Sequence, residues 1–216
     1  MTGLSDDDAA AVERGIAAVE AATGVQVVAA LVPRADDYPE APWRAFALGA
    51  ALAALAALGW SLAFPAWLAP AALLAQALAI LATGGAAAIA ARYVPAVGRA
   101  FVGAARAEAE ARQCADALFL ARELFATPRR EAILILVAAF ERRVVVVPDA
   151  GFRGRVTAAE WRGVVDRMTP SLRRDAVREA FAQGLAALEA LLRAKGCGPG
   201  DGANRLPDGL VRGSGR

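Results

Sequence analysis

The chain has 216 residues, 57% of them hydrophobic, with a formal net charge of +2 and a mean hydropathy of +0.41; that length supplies one membrane hairpin and one compact domain of about 130 to 150 residues. Histidine is absent, which excludes a histidine general base, a histidine-containing triad and a histidine-ligated metal, and leaves carboxylates as the main candidates for chemistry. Cys114 lies in an apolar helical pattern and Cys197 in a glycine-rich tail, surroundings that fit a reduced cytoplasmic setting better than a disulfide.

The first residues, MTGLSDDDAAAVERG, have no basic region leading into an apolar one, so no cleavable signal peptide is expected. Ser5 is a helix cap with Asp8 at the reciprocal third position, and Val12, Ile16 and Val19 recur at helical spacing. Gly24 ends that helix in a left-handed conformation, and Val25 to Val32 (VQVVAALV) follows as a first strand.

Between Arg44 and Arg92 lie 47 residues, Ala45 to Ala91, without a charged side chain. Roughly 20 helical residues cross a hydrocarbon core of about 30 Å, and Ala45 to Phe64 and Trp67 to Ala91 each reach that length. The proline-bracketed turn LAFPAWLAP (Leu62 to Pro70) folds them into a transmembrane helical hairpin over 43–92. Burying the same stretch inside a soluble helical protein would need a thick coat of amphipathic elements, which the remaining, partly strand-like sequence does not supply.

The turn carries no Lys or Arg, whereas Arg44, Arg92, Arg99 and Arg106 flank the hairpin, so both ends are expected in the cytoplasm. Trp43, Trp60, Trp67 and Tyr93 fall at the interfaces, where amphipathic rings prefer to sit. The alanine-rich helices, with Gly49, Gly59, Gly84 and Gly85, permit close backbone approach. That suits tight packing within the hairpin or a docking surface for another membrane protein. Residues 1–42 carry eight acids and two bases, and residues 92–216 fourteen acids and twenty-one bases. Opposite charge on the two flanks favours their meeting in one domain.

After the hairpin, Arg99 to Phe125 reads as one long amphipathic helix with Phe101, Cys114, Leu118 and Leu124 on its apolar face, stopped by Thr127 and Pro128. Ala132 to Phe140 (AILILVAAF) suits a strand covered on both faces, and Val144 to Val147 a neighbouring strand, paired across Glu141, Arg142 and Arg143. Thr157 and Glu160 form a capping box, with Val156 and Trp161 placed as a hydrophobic staple. A further helix from about Ser171 to Ala194 keeps Val177, Phe181, Leu185, Leu188 and Leu192 in period and ends at Gly196; residues 197–216 read as a disordered tail. Helices around a few apolar strands imply an α/β layer into which the hairpin is inserted.

Several of these residues carry a likeness. Leu118 and Phe119, Thr127, Ile133 to Val137, Glu141 to Val144, Asp149, Gly151 and Trp161 stand in an order that resembles the TPM domain family, in particular its bacterial membrane-protein branch. The resemblance covers residues 5–32 and 99–195, leaving the hairpin and the tail outside. It implies a small α/β/α sandwich on or near a membrane; the uncharged run interrupts that sandwich with the two-helix hairpin, and the bacterial inner membrane is the expected location. It also implies links to photosystem repair and assembly, weak acid-phosphatase activity and divalent-cation binding. The sequence departs from the family's frequent apolar-Phe-Pro ending, with LLRAKGCGPG instead, and reads VVVVPDAG where a more polar, acidic strand end is usual.

Asp149 follows a strand and precedes an alanine and a glycine, where open α/β sheets present ligand groups. An alternative phosphatase site would combine Asp149, Glu141 and Arg142, and Asp149 with Glu160 would be the candidates for Ca²⁺ or Mg²⁺. Turn formation and helix capping account for the same residues. Arg142 and Arg143 would hold a phosphate or serve as a solvated hairpin tip, and Gly151 to Gly154 lacks the Lys and Ser/Thr of a phosphate loop. Trp161 reads as a core anchor and Cys114 as a small buried side chain. No aromatic ladder accompanies the arginines, so nucleic acid is not an expected partner. The function expected first is a non-catalytic accessory or assembly subunit whose partners are the lipid bilayer and an integral membrane protein or complex. A weak cation-assisted phosphatase and an anionic-lipid-associated scaffold are the alternatives.

Overall fold

The computed structural model describes residues 4–64, 70–199 and 210–212. Helix α1 (Asp6–Thr23) starts where Ser5 Oγ accepts the Asp8 N–H at 3.1 Å and donates to the Asp8 carboxylate at 2.8 Å. It ends at Gly24 with φ 67°, a left-handed cap as the sequence predicts. Strand β1 (Gln26–Val32) follows, and the chain returns to the same sheet only at β2 (Ala132–Ala138), which turns into β3 (Arg143–Pro148). The β1–β2 pair is parallel, with Gln26 opposite Ala132, and β2–β3 is antiparallel, with Ile133 opposite Pro148.

The chain divides into two compact units, residues 1–36 with 107–216, and residues 37–106. In the first, successive residues of β1 and β2 alternate between faces. Val27, Ala29, Leu31, Ile133, Ile135 and Val137 join Val12, Ile16, Met168, Phe181 and Leu188 in one core cluster. Those partners come from α1, α6 (Ala158–Arg173) and α7 (Val177–Ala194). Val28, Ala30, Val32, Leu134 and Leu136 turn to a second cluster with Ala111, Ala115 and Phe119 of α5 (Ala104–Ala121). The chain is predominantly helical around this small mixed sheet.

The second unit contains two long apolar helices, α2 (Glu40–Ala63) and α3 (Pro70–Tyr93), each long and apolar enough to cross a membrane by length and composition, with mean hydropathy 1.9. They run antiparallel and pack closely at Gly49 and Gly84: a Cβ on Gly49 would stand 2.9 Å from Ala87 Cβ, and one on Gly84 2.9 Å from the Phe46 ring. Near the other end Gln76 Nε2 donates to Ser61 Oγ at 3.0 Å. Gly59 and Gly85 face open space, so only half of the glycine set serves packing between the two helices. Short α4 (Pro95–Phe101) completes the unit.

Three expectations need correction. The helix expected over Arg99 to Phe125 is broken: Val102 is extended (φ −95°, ψ 120°), and α5 begins only beyond Gly103. Its buried face is Ala107, Ala111, Ala115 and Phe119, with Cys114 and Leu118 partly covered; Leu124 lies in a separate 3₁₀ turn, Leu124–Ala126, and Phe101 in α4. The helix expected from Ser171 starts at Val177, because α6 continues through Pro170 to Arg173. Burial of Val164, Met168 and Leu172 on one face carries α6 past a proline whose missing N–H would otherwise end it. Finally, part of the expected tail is ordered into the sheet. Val211–Arg212 forms β4, parallel to β1 opposite Ala30 and Leu31, and the Leu210 N–H donates to Glu13 of α1 at 3.3 Å. The strand order is β3-β2-β1-β4. Trp67 and the rest of the hairpin turn from 65 to 69 lie outside the described residues.

Candidate functional site

Asp149 leaves the end of β3 with its N–H on Ala132 O at 2.9 Å, which continues the β2–β3 ladder by one residue. Its side chain, 3% exposed, accepts from both ends of one guanidinium: Arg130 Nε to Oδ2 and Nη2 to Oδ1, each at 2.8 Å. Oδ1 also accepts the Ala150 N–H at 2.6 Å. Burial alone would raise the Asp149 carboxyl, but the Arg130 guanidinium, the Ala150 N–H and the nearby Arg153 charge outweigh it and hold the group below the ordinary carboxylate value.

The loop that presents Arg130 is bent to do so. Arg130 adopts φ 55° and donates its N–H to Thr127 O at 3.0 Å. Its carbonyl in turn accepts the Gly151 N–H at 2.9 Å, and a Cβ at Gly151 would stand 2.6 Å from both Arg129 O and Arg130 O. Glu131 bridges Arg129, at 3.2 Å, and Arg155, while Arg155 Nη2 reaches Cys197 Sγ at 3.3 Å. Phe152 beneath is 2% exposed and meets Trp161 edge-on, ring centroids 5.6 Å apart. Trp161 thus packs at the core margin and Val156 inside it.

Glu141 and Arg142 stand elsewhere. They form the turn before β3, and six strand residues at about 3.3 Å each put roughly 20 Å between them and Asp149. Glu141, 8% exposed, accepts the Ala35 N–H at 2.9 Å; Arg142 pairs with Asp175 at 2.7 Å and Arg143 with Glu108 at 3.3 Å. The proposed trio is therefore not brought together. Burial and then the Glu141 charge push the Cys114 thiol up, away from reactivity.

Glu160 completes the capping box: Thr157 Oγ1 accepts the Glu160 N–H at 3.3 Å, and Glu160 Oε2 accepts the Thr157 N–H at 2.8 Å. The Lys195 ammonium at 2.7 Å, then the Thr157 N–H and hydroxyl, lower its carboxyl from 4.5 to about 2. Because the folded value lies below the ordinary one, the stabilisation is present above about pH 4.5 and is lost as pH falls toward 2. Glu160→Gln should lower Tm at neutral pH, and the difference from the parent should shrink below that point; a constant difference across the range would remove the ion-pair account.

These residues do not fit a divalent cation. Asp149 has an arginine on both oxygens, Glu160 a lysine, and Glu141 is at the opposite end of β3. Among the described residues no group of three or more His, Cys, Asp or Glu side chains is placed to hold a metal ion. What the Asp149 cluster does chemically is hold: a buried carboxylate, its arginine and two main-chain bonds fasten residues 127–132 to 149–155. Residue types alone missed Arg130, yet the hairpin register would have found it. Ile133 opposite Pro148, continued outward, places Arg130 opposite Gly151.

In the hairpin unit, Trp43 and Tyr93 are 73% and 78% exposed at the arginine-bearing ends of α2 and α3, and Trp60 stacks on Phe64 with ring centroids 4.5 Å apart. Arg44 Nη1 donates to Phe101 O at 2.9 Å, Arg106 pairs with Glu40 at 3.1 Å, Arg92 is exposed and Arg99 half-buried.

No curated protein matches the chain. The fold is similar to the NMR structure of the BA42 protein from the psychrophilic bacterium Bizionia argentinensis, with TM-score 0.58 and 11% identity over 97% of this chain and 95% of that one; at that identity the likeness is of fold alone. The TPM domain matches residues 72–191, from α3 through α7. That span is more than half of the sequence and includes the β2–β3 hairpin, the Asp149 latch and the capping box, so the chain belongs to the TPM domain family.

Proposed function

We propose that this protein is a membrane-anchored, non-catalytic accessory or assembly subunit. Its α/β/α sandwich is interrupted by a transmembrane hairpin of α2 and α3, with both termini on the cytoplasmic side of a bacterial inner membrane. The observation that carries this reading is the outer surface of the hairpin: Leu52, Leu55, Leu62, Leu74, Leu78 and Leu81 are 58%, 65%, 73%, 63%, 58% and 59% exposed. Moving such a side chain out of water is worth about 2 kcal/mol, so a surface of this kind needs lipid or partner helices against it. The arginine-bearing ends supply the cytoplasmic bias, and outward-facing Gly59 and Gly85 leave room for close approach by a neighbouring helix. The phosphatase reading lacks comparable support, since Asp149 is held by Arg130 and its supposed partners lie at the other end of the strand.

Isolation in mild detergent, followed by mass spectrometry of co-purifying chains, should recover a stoichiometric membrane partner; a monomer that repeatedly emerges alone defeats the subunit reading. Sidedness has its own check. A cysteine at Phe64, in a background without Cys114 and Cys197, should react with an impermeant maleimide added outside the inner membrane, and reaction only after lysis would invert the topology.

A further inference from the structure

The hairpin unit carries four arginines, which the structure divides by what neutralises them. Arg106 pairs with Glu40 at 3.1 Å and stands over the Tyr38 ring at 5.9 Å, so its charge is met within the protein. Arg99 is engaged as well. Arg44 makes one bond, to the neutral Phe101 carbonyl, and Arg92 is exposed with no carboxylate partner among the described residues.

These two remaining charges stand in mirrored doublets. Trp43-Arg44 opens the uncharged run and Arg92-Tyr93 closes it. The antiparallel packing of α2 on α3, with Gly49 against Gly84 near one end and Ser61 bonded to Gln76 near the other, brings the doublets to the same end of the pair. Each doublet combines an exposed amphipathic ring with a guanidinium not neutralised by the protein. At a bilayer surface the ring settles at the headgroup level and the guanidinium meets phosphate oxygens bidentately.

We infer that Arg44 and Arg92, flanked by Trp43 and Tyr93, form a headgroup site for an anionic phospholipid at the cytoplasmic end of the hairpin. This rests on the membrane reading above and names a lipid partner for it. The ligand is an anionic lipid and not free phosphate, because the rings beside the arginines need acyl and glycerol surface to cover them. The Arg44–Phe101 bond gives the site a fixed wall by tying α4 to the start of α2.

The test uses the full chain in mild detergent, incubated with an equal mixture of phosphatidylglycerol and phosphatidylcholine and read by native mass spectrometry. The parent protein should retain phosphatidylglycerol about tenfold over phosphatidylcholine, and the double variant Arg44→Gln, Arg92→Gln should lose most of that preference. Arg122→Gln, at an exposed turn residue just past α5, should leave it unchanged. Carbonate extraction of membranes separates the two readings. A chain that is extracted fails the membrane reading, whereas a chain that stays but retains both lipids equally fails only this inference. Retention equal in the double variant, or displacement of the lipid by inorganic phosphate, would also overturn it. Should the double variant misfold, each single variant is expected to show an intermediate preference, and unchanged preference in both sinks the assignment.

Discussion

Gly151→Ala should destabilise the sheet unit by about 3 kcal/mol or more, which combines main-chain overpacking with a weakened hydrogen bond. The added methyl would stand 2.6 Å from two carbonyl oxygens, those of Arg129 and Arg130. Neither is the free end of a side chain that swings aside. Both belong to a bend already committed to φ 55° at Arg130 and to the Gly151 N–H bond at 2.9 Å, so relief requires moving the loop away from β3. A control isolates the cause. Gly163 lies on the exposed face of α6 with nothing within 4 Å of a new Cβ, so Gly163→Ala should gain about 0.5 to 1 kcal/mol from helix propensity. Denaturant midpoints measured under the same conditions decide the matter, and a Gly151→Ala midpoint equal to the parent's would remove the close approach.

Asp149→Asn comes second, with an expected loss of about 2 kcal/mol at neutral pH. Breaking a fully buried ion pair costs about 3 to 5 kcal/mol, but Arg130 is 52% exposed and recovers water when its partner goes, so the value is discounted. The sign with pH follows from the depressed carboxyl. Its contribution is whole above the ordinary carboxylate value of 3.8 and fades as acid protonates the folded state. Parent and variant stabilities should therefore converge in acid. Arg130→Lys should lose much of the same stability, because an ammonium does not reproduce the paired bonds of a guanidinium. A stable Asp149→Asn protein that had lost a phosphate-ester hydrolysis present in the parent would instead make Asp149 a catalytic group.

Much of the local structure was legible because its causes are local. Ser5 with Asp8, Gly24, and Thr157 with Glu160 act within one turn of chain, and each is found where the sequence places it. The valines of β3 and the unbroken apolar run of β2 announce strands buried on both faces. The misreadings share a different cause. Val102 and Gly103 break a helix that periodicity alone would continue, and Pro170 fails to break one because Met168 and Leu172 are held in the core. Asp149 and Glu141 look like neighbours in a list of acids, but a strand of intervening residues keeps them apart. Only pairing register reveals that Arg130, nineteen residues upstream, is the true companion of Asp149. Leu210 to Arg212 is too short to show any period, and its place beside β1 depends on Glu13, far away in sequence.

The parallel register of β1 on β2, Gln26 beside Ala132, sets a timetable for the nascent polypeptide. At translation speeds of about 5 to 20 residues per second, β1 leaves the ribosome on the order of ten seconds before its neighbour strand exists. Throughout that interval a valine-rich segment has α1 for one face but no ladder partner and nothing over Val28, Ala30 and Val32, a state open to chaperones and to mispairing with other nascent chains. Only after α2 and α3 have been synthesised, and have met whatever solvent they are destined for, does β2 arrive to close the ladder. Maturation of the sheet is thereby made to wait on the hairpin.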